Sequence, residues 1–240
     1  MTTYLDRILA AHRETASLDG RSLDDLLDSA RSCEEPRGFI RALVGATPDE
    51  IAVIAEVKRR SPSRGDLDTG LDPAVMAVQY ATGGAACLSV LTDESFFGGS
   101  AKDLRAARLA VDLPVLRKDF TVDARDVCDA RIMGADAVLL IAAALDDLEM
   151  ADFHALSAEL GMDTLVEVHD ETELERALAI GASLVGVNQR DLITFEVDPG
   201  RAARMIPLMP EGVVRVAESG IKDQTTAVAL RQAGYHALLV

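Results

Sequence analysis

Eight short β-branched or aliphatic runs recur along the chain: IAVIAEV from Ile51, CLSVLT from Cys87, LPVLR from Leu113, DAVLLI from Asp136, DTLVEV from Asp163, SLVGVN from Ser183, GVVRVA from Gly212 and HALLV from His236. Their starts lie about 26 residues apart, close to the ~30 expected of a strand and helix joined by short loops. Between them lie helix-period stretches such as DPAVMAVQYATGG, SAKDLRAARLAV, ALSAELGM, ETELERALAIGA and DQTTAVALRQAGY. Gly83, Gly134, Gly161, Gly181 and Gly234 stand where such helices would end. Alternating units of this kind build a parallel sheet covered by helices. No GxGxxG follows the first strand, so eight strands favour a closed (β/α)8 TIM barrel, an α/β fold, over an open doubly wound sheet.

Residues 1–48 read as helical and polar (YLDRILAAHRETASL, SLDDLLDSARSC, GFIRALV) and are too short to bury a core alone. The expected organisation is therefore one barrel domain over 1–240, with 1–48 as an N-terminal helical extension packed on it. The sequence stops at Val240, directly after the eighth strand, so the eighth loop and a closing helix are expected to lie beyond it.

Composition narrows the function classes. A formal charge of −16, from 24 basic and 40 acidic residues, repels nucleic acid and acidic membranes over most of the surface. A small anion is still admissible, since backbone N–H groups and a few local cations can hold a phosphate whatever the net charge. No apolar run reaches the ~18–20 residues of a membrane span, and the N-terminus lacks the pattern of a secretory leader; a cytoplasmic location is the expectation. Cys33, Cys87 and Cys128 form no CxxC pair, and His12, His154, His169 and His236 are scattered, which suggests neither a disulfide framework nor a metal site. No long exposed apolar stripe demands a partner, which favours a monomer.

Twenty of the basic residues are arginines; the lysines are Lys58, Lys102, Lys118 and Lys222. A chain with this preference keeps lysine where a titratable ammonium is useful, because arginine does not give up its proton near neutrality. Barrel chemistry sits at the C-terminal strand ends. Here those ends carry Glu56 and Lys58, then RRSPSRGDL; TDESFFGGS; Lys118 and Phe120; Glu167 and His169; Asn188 and Arg190; and Glu218, Ser219 and Gly220. Strand alternation puts Glu56 and Lys58 on one inward face and Val57 outward.

Each of these has a plainer reading. Glu56 and Lys58 could form an internal structural ion pair, Lys118 could reach out to solvent, and Glu167 could be a buried carboxylate satisfied by either lysine. His169 reads as structural or solvated rather than as a ligand. The Ser-Gly of AESGI has the form of a phosphate cup built from loop backbone and a short helix, and is equally ordinary turn chemistry. Phe96, Phe97 and Phe120 could flank an aromatic substrate or anchor loops on the extension. Convergence of lysines, glutamates and an asparagine on one face favours a general acid/base set of ammonium groups facing carboxylates, each pKa pulled by burial and by its neighbours; ammonium acids of lowered pKa would suit proton donation near neutrality.

Taken in order, IAEVKRRSPSRGDL, LSVLTDESFFGGS, LPVLRKDF, LVEVHDETELERAL, GVNQRDLITFEVD and VAESGI resemble the indole-3-glycerol phosphate synthase family of tryptophan biosynthesis. The resemblance covers essentially the whole chain, helical extension included. It implies a (β/α)8 carboxy-lyase that closes the indole ring of 1-(2-carboxyphenylamino)-1-deoxyribulose 5-phosphate with loss of carbon dioxide and water, without cofactor or metal. It implies Lys118 as the acid that protonates the substrate ketone, and Lys58 and Glu167 as the acid and base of dehydration in either assignment. Glu56 and Asn188 would orient these groups, and Glu218 and Ser219 would line the opposite wall. Arg190 and Ser61 would lie near the substrate carboxylate or at loop hinges, and Phe97 and Phe120 would sandwich the anthranilate ring. The phosphate would be shared between the Ser219-Gly220 loop and a loop after strand eight, which the sequence does not reach. The family's N-terminal segment can carry a Trp near the site; this chain has none, so its roof is expected to differ. The anionic substrate would be drawn to a mouth lined by Lys and Arg.

Two other barrel chemistries compete. An Amadori-type isomerase needs a Cys or Asp pair where strand one here ends in Glu and Lys, and a class I aldolase would use a barrel lysine as nucleophile. A non-catalytic scaffold is the third alternative.

Overall fold

The computed structural model describes residues 3–45, 50–61 and 65–240. The two ends of the expected extension (1–2 and 46–48) and the Pro62-Ser63-Arg64 stretch of the first loop lie outside the described residues. The eight runs are eight strands: β1 (Ala52–Val57), β2 (Cys87–Leu91), β3 (Val115–Lys118), β4 (Ala137–Ile141), β5 (Asp163–Val168), β6 (Leu184–Asn188), β7 (Val214–Glu218) and β8 (Ala237–Leu239). All neighbours are parallel and the sheet closes on itself. β1 pairs with β2 through Ile54↔Cys87 and with β8 through Ala52↔Ala237, and the Glu56 N–H donates to the Val240 carbonyl at 2.8 Å. Four of the eight strands, β2, β4, β6 and β8, are buried along their whole length, because side chains fill the barrel on one face and helices cover the other; hence the unbroken aliphatic runs.

Three helices precede the barrel: α1 (Tyr4–Leu18), α2 (Leu23–Arg31) and α3 (Phe39–Val44). Seven follow: α4 (Pro73–Thr82), α5 (Ala101–Ala110), α6 (Ala124–Met133), α7 (Asp147–Glu159), α8 (Glu171–Ala179), α9 (Arg201–Met205) and α10 (Gln224–Ala233). Asp72, Ser100, Asp123, Asp146, Asp170 and Asp223 each accept a backbone N–H of the helix that follows them. Part of the acidic excess is thus spent on helix N-termini, where a cap contributes ~1 kcal/mol over alanine. α6 and α9 were not marked by an obvious periodic run, and α7 begins well before the ALSAELGM stretch. Gly83 does cap α4, but in right-handed backbone; the left-handed residue that turns the chain is Gly84, at φ 88°. The loop after β1 carries a short antiparallel ladder, Arg60–Ser61 with Gly65–Asp66, which its charged sequence did not suggest.

The N-terminal helices run from the top of the barrel to its bottom. α1 crosses the C-terminal mouth, where Tyr4, Leu5 and Ile8 face the cavity. α2 descends beside α6, with Arg21 bridging to Asp129 at 2.8 Å and the buried Arg131 of α6 donating to the carbonyls of Cys33 and Glu34. α3 plugs the N-terminal end: Phe39 is fully buried, the Ile40 N–H donates to Asp163 at 2.8 Å, and the Arg37 N–H donates to Asp136 at 2.7 Å. Among the described residues no helix is long and apolar enough to cross a membrane.

Candidate active site

A cavity of about 760 Å³ opens at the C-terminal ends of the strands, roofed by α1. All twelve expected site residues line it: Glu56, Lys58, Ser61, Phe97, Lys118, Phe120, Glu167, Asn188, Arg190, Glu218, Ser219 and Gly220. Register explains the convergence. One inward layer of a barrel is supplied by alternate strands, and here β1, β3, β5 and β7 supply Glu56, Lys118, Glu167 and Glu218, with Asn188 of β6 level with Glu218.

Lys118 is the hub of that layer. Its Nζ donates to Glu167 Oε2 at 2.6 Å and to Glu218 Oε2 at 3.2 Å. Burial opposes its charge, but Glu167, Glu218 and Glu56 outweigh burial and push the ammonium pKa up. Of the two opposing influences expected on these ammonium groups, burial and neighbouring carboxylates, the carboxylates prevail at Lys118, so the expected lowering of its pKa is not found. Lys58 pairs with Glu56, which also accepts a bond from Ser89 Oγ at 3.4 Å.

The two glutamates beside Lys118 are pushed apart. Glu167 is buried, which alone would favour protonation, yet Lys118 and His169 hold its carboxyl well below the usual range. The Asn188 Nδ2 adds a bond to Oε1 at 3.0 Å. Glu218 has only Lys118 against burial and the nearby Glu167 charge, its Oε1 is buried without a hydrogen-bond partner, and its pKa rises to about 8. Two carboxyls in unlike environments are how one site keeps a base and a proton-bearing acid at the same pH. Gly186 makes room for this arrangement, since a Cβ there would lie 2.0 Å from Glu218 Oε1.

Several expectations are modified by the geometry. Phe97 and Phe120 lie with ring centroids 6.2 Å apart at 39°; a ring between them would need about 7 Å, two van der Waals gaps. They form one aromatic wall instead of a sandwich. Phe96 packs edge-on against Tyr4 at 5.9 Å, as a loop anchor on the extension, and Tyr4 also meets Phe195 at 5.6 Å; these aromatics occupy the roof in a chain without Trp. Ser219 and Gly220 both have left-handed backbone (φ 63° and 73°) at the β7 exit, and a Cβ on Gly220 would lie 2.6 Å from Val197 Cγ1. A non-glycine residue held in that region is a strained position of the kind found at ligand sites. No separate short helix follows among the described residues; α10 begins at Gln224, and its N-terminus is capped by the Asp223 carboxylate, an unfavourable neighbour for a phosphate. Lys222 reaches the cavity rim, a cation the strand-end reading passed over. The mouth is also less cationic than expected: Lys58, Lys118, Arg190 and Lys222 line it together with Glu56, Asp93, Asp119, Glu167 and Glu218.

The sequence hid two histidine contacts. His12 of α1 bonds Asp93 at 2.9 Å, lies 3.9 Å from Asp119 and packs its ring against Phe120 at 5.4 Å, tilted by 45°. Among the described residues this is the one group whose His and carboxylate atoms come close enough to hold a metal ion. Its oxygens are already engaged by the Phe96, Phe97 and Phe120 amides, Thr92 and Arg117, so it works as an ion-pair network tying α1 to the β2 and β3 loops. His169 is mostly shielded from solvent, with its Nε2 buried 3.4 Å from Glu167 Oε1.

A closed parallel barrel with a roofed, polar-floored cavity at the strand C-termini is the layout of a (β/α)8-barrel enzyme. Two solved structures share that fold: an N-acetylmannosamine-6-phosphate 2-epimerase from Clostridium perfringens (TM-score 0.63, 12% identity, 79% of this chain and 85% of that one) and a thiamine phosphate pyrophosphorylase from Pyrococcus furiosus (TM-score 0.56, 14% identity, 80% and 86%). At such identities the likeness concerns the fold alone. The sequence profile of indole-3-glycerol phosphate synthase matches residues 5–240. Proteins of that name are 44% identical in Hyphomonas neptunium (100% of this chain, 92% of the relative), 50% in a Nocardioides species (98% and 87%) and 48% in Variovorax paradoxus (100% and 93%). The chain belongs to the indole-3-glycerol phosphate synthase family, carboxy-lyases of tryptophan biosynthesis.

Proposed function

We propose that the chain converts 1-(2-carboxyphenylamino)-1-deoxyribulose 5-phosphate to indole-3-glycerol phosphate by lysine and glutamate acid/base catalysis in this cavity. The amine nitrogen makes the carboxylate-bearing ring carbon electron-rich, and that carbon attacks the ketone. Lys118 gives a proton to the oxygen as its negative charge develops. A firmly charged ammonium suits this step, because the forming alkoxide is a far stronger base than a lysine amine. The carboxylate then leaves as carbon dioxide, and the C–C electron pair restores the aromatic ring. In dehydration Lys58 protonates the departing hydroxyl and Glu167 takes a proton from the ring methylene, which forms the indole double bond.

The observation that carries this reading is the Lys118–Glu167 contact at 2.6 Å on the cavity floor, where Asn188 orients the carboxylate. Glu56 would steer Lys58, while Phe97 and Phe120 would present one apolar wall to the anthranilate ring. Ser61, Arg190, Glu218, Ser219 and Gly220 would bind the remaining polar groups, with no cofactor or metal in any step. A tethered substrate needs positioning more than it needs a nucleophile. A Schiff-base role for Lys118 would require a neutral amine, which its surrounding carboxylates oppose. The whole of 1–240 would act as one barrel domain with residues 1–48 as its extension, as a monomer in the cytoplasm. Incubation of the protein with the substrate should give the indole absorbance with one carbon dioxide released per product; substrate binding without either product would contradict the proposal.

A further inference from the structure

Glu167 accepts from Lys118 on Oε2 and from Asn188 on Oε1, and Oε1 is also approached by the ring of His169, a residue the mechanism above does not use. His169 directly follows β5, two places beyond Glu167, and its ring comes to the same side as the Glu167 carboxylate. The His169 N–H donates to Glu173 Oε2 at 2.8 Å, and its ring Nδ1 lies 3.0 Å from the same oxygen. Glu173 sits in the first turn of α8, with its own N–H bonded to Asp170. The imidazole is therefore fixed with Nδ1–H toward Glu173. Nε2 is left buried, without a hydrogen-bond partner, 3.4 Å from Glu167 Oε1. Lys118 meanwhile holds Oε2.

We propose that His169 is a positioning residue for Glu167: anchored by Glu173, its imidazolium edge fixes the orientation of the Glu167 carboxylate and keeps it ionised for proton abstraction. This rests on the assignment of Glu167 as the base. A neutral ring with its proton on Nδ1 would turn a lone pair toward a carboxylate oxygen, whereas a doubly protonated ring turns an N–H toward it. The charged groups facing the ring are Glu167 of β5 and Glu173 of α8; Lys118 of β3 and Glu218 of β7 meet the far side of Glu167. Burial disfavours the charged ring, but the two glutamates raise its pKa to about 9, so the imidazolium persists through neutral pH.

The test is the pH profile of kcat/KM for the full chain and for His169→Gln, His169→Ala, Glu173→Gln and Glu167→Gln. His169→Gln keeps a donor but not the charge. Expected are a fall in kcat of about tenfold or more with KM changed by less than about threefold, and an acid limb displaced upward by roughly one pH unit. Glu173→Gln should move the limb in the same direction by less, and His169→Ala should lose more kcat than His169→Gln. Should His169→Ala not fold, Glu173→Gln alone still reports the shift. An unmoved acid limb in both His169→Gln and Glu173→Gln, with Glu167→Gln inactive, overturns the positioning role and leaves the base assignment standing. Full activity in Glu167→Gln overturns both.

Discussion

Lys118 Nζ and Glu167 Oε2 lie 2.6 Å apart, although 49 residues separate them in sequence. Lys118 ends β3 and Glu167 is the penultimate residue of β5, and the parallel sheet brings them together across β4. The contact joins an ammonium held charged by its neighbours to a carboxylate held ionised by Lys118, Asn188 and His169. Proton transfer in opposite directions within one cavity requires such a pair.

Gly186 is predicted to tolerate no side chain. Its missing Cβ leaves the space taken by Glu218 Oε1, and both neighbours are fixed by the β6–β7 ladder. In Gly186→Ala the carboxylate must leave its contact with Lys118, and activity is expected to fall at least about tenfold. Stability should drop by about 1–3 kcal/mol, the range for an overpacked core. Parallel kinetics and denaturant unfolding check this; an active variant would show that Glu218 need not sit there.

At the other end of the barrel, the fully buried Asp136 binds the Arg37 and Val115 amides and the Arg108 guanidinium. Its replacement by Asn removes the charge but keeps the shape and one acceptor. Loss of one partner of a buried ion pair costs about 3–5 kcal/mol, and the loss here should loosen α3 and its entry segment first. Hydrogen exchange would show faster exchange of the Arg37 and Ile40 amides before any change at the cavity.

The strand ends were legible because a parallel barrel writes its sheet as continuous aliphatic runs and its chemistry as the first polar residues after them. Glu56, Lys118, Glu167, Asn188 and Glu218 could all be found by that rule. What sequence order does not carry is contact between distant segments. His12 and Asp93 are 81 residues apart, and no local period marks their meeting. The expected lowering of the Lys118 pKa failed on distance: the strand ends name Glu56, Glu167 and Glu218, but only the packed barrel shows two of them within 3.2 Å of the ammonium, close enough to outweigh burial. The Phe97–Phe120 sandwich failed on ring angle and spacing, which follow from loop packing.

Stability should depend on pH through the α1 latch. Burial lowers the His12 pKa, but Asp93 and Asp119 outweigh it and the net shift is upward from 6.5. A raised folded-state pKa means the ion pair contributes fully below about pH 6.5 and is lost as pH rises through the raised value. Melting temperatures of the parent and His12→Gln should therefore differ most in mild acid and converge in alkali. A difference that stayed constant from pH 5 to 9 would mean that His12 acts by packing on Phe120 alone.

The most direct measurement is indole formation from the carboxyphenylamino-deoxyribulose phosphate by the parent and by Lys118→Ala, with product affinity measured alongside. The expected result is a loss of about 10²–10⁴-fold in kcat, the span of a general acid, with product affinity within about tenfold, ~1.4 kcal/mol. A Lys118→Ala protein as active as its parent would contradict the assignment of Lys118 as the acid that closes the ring.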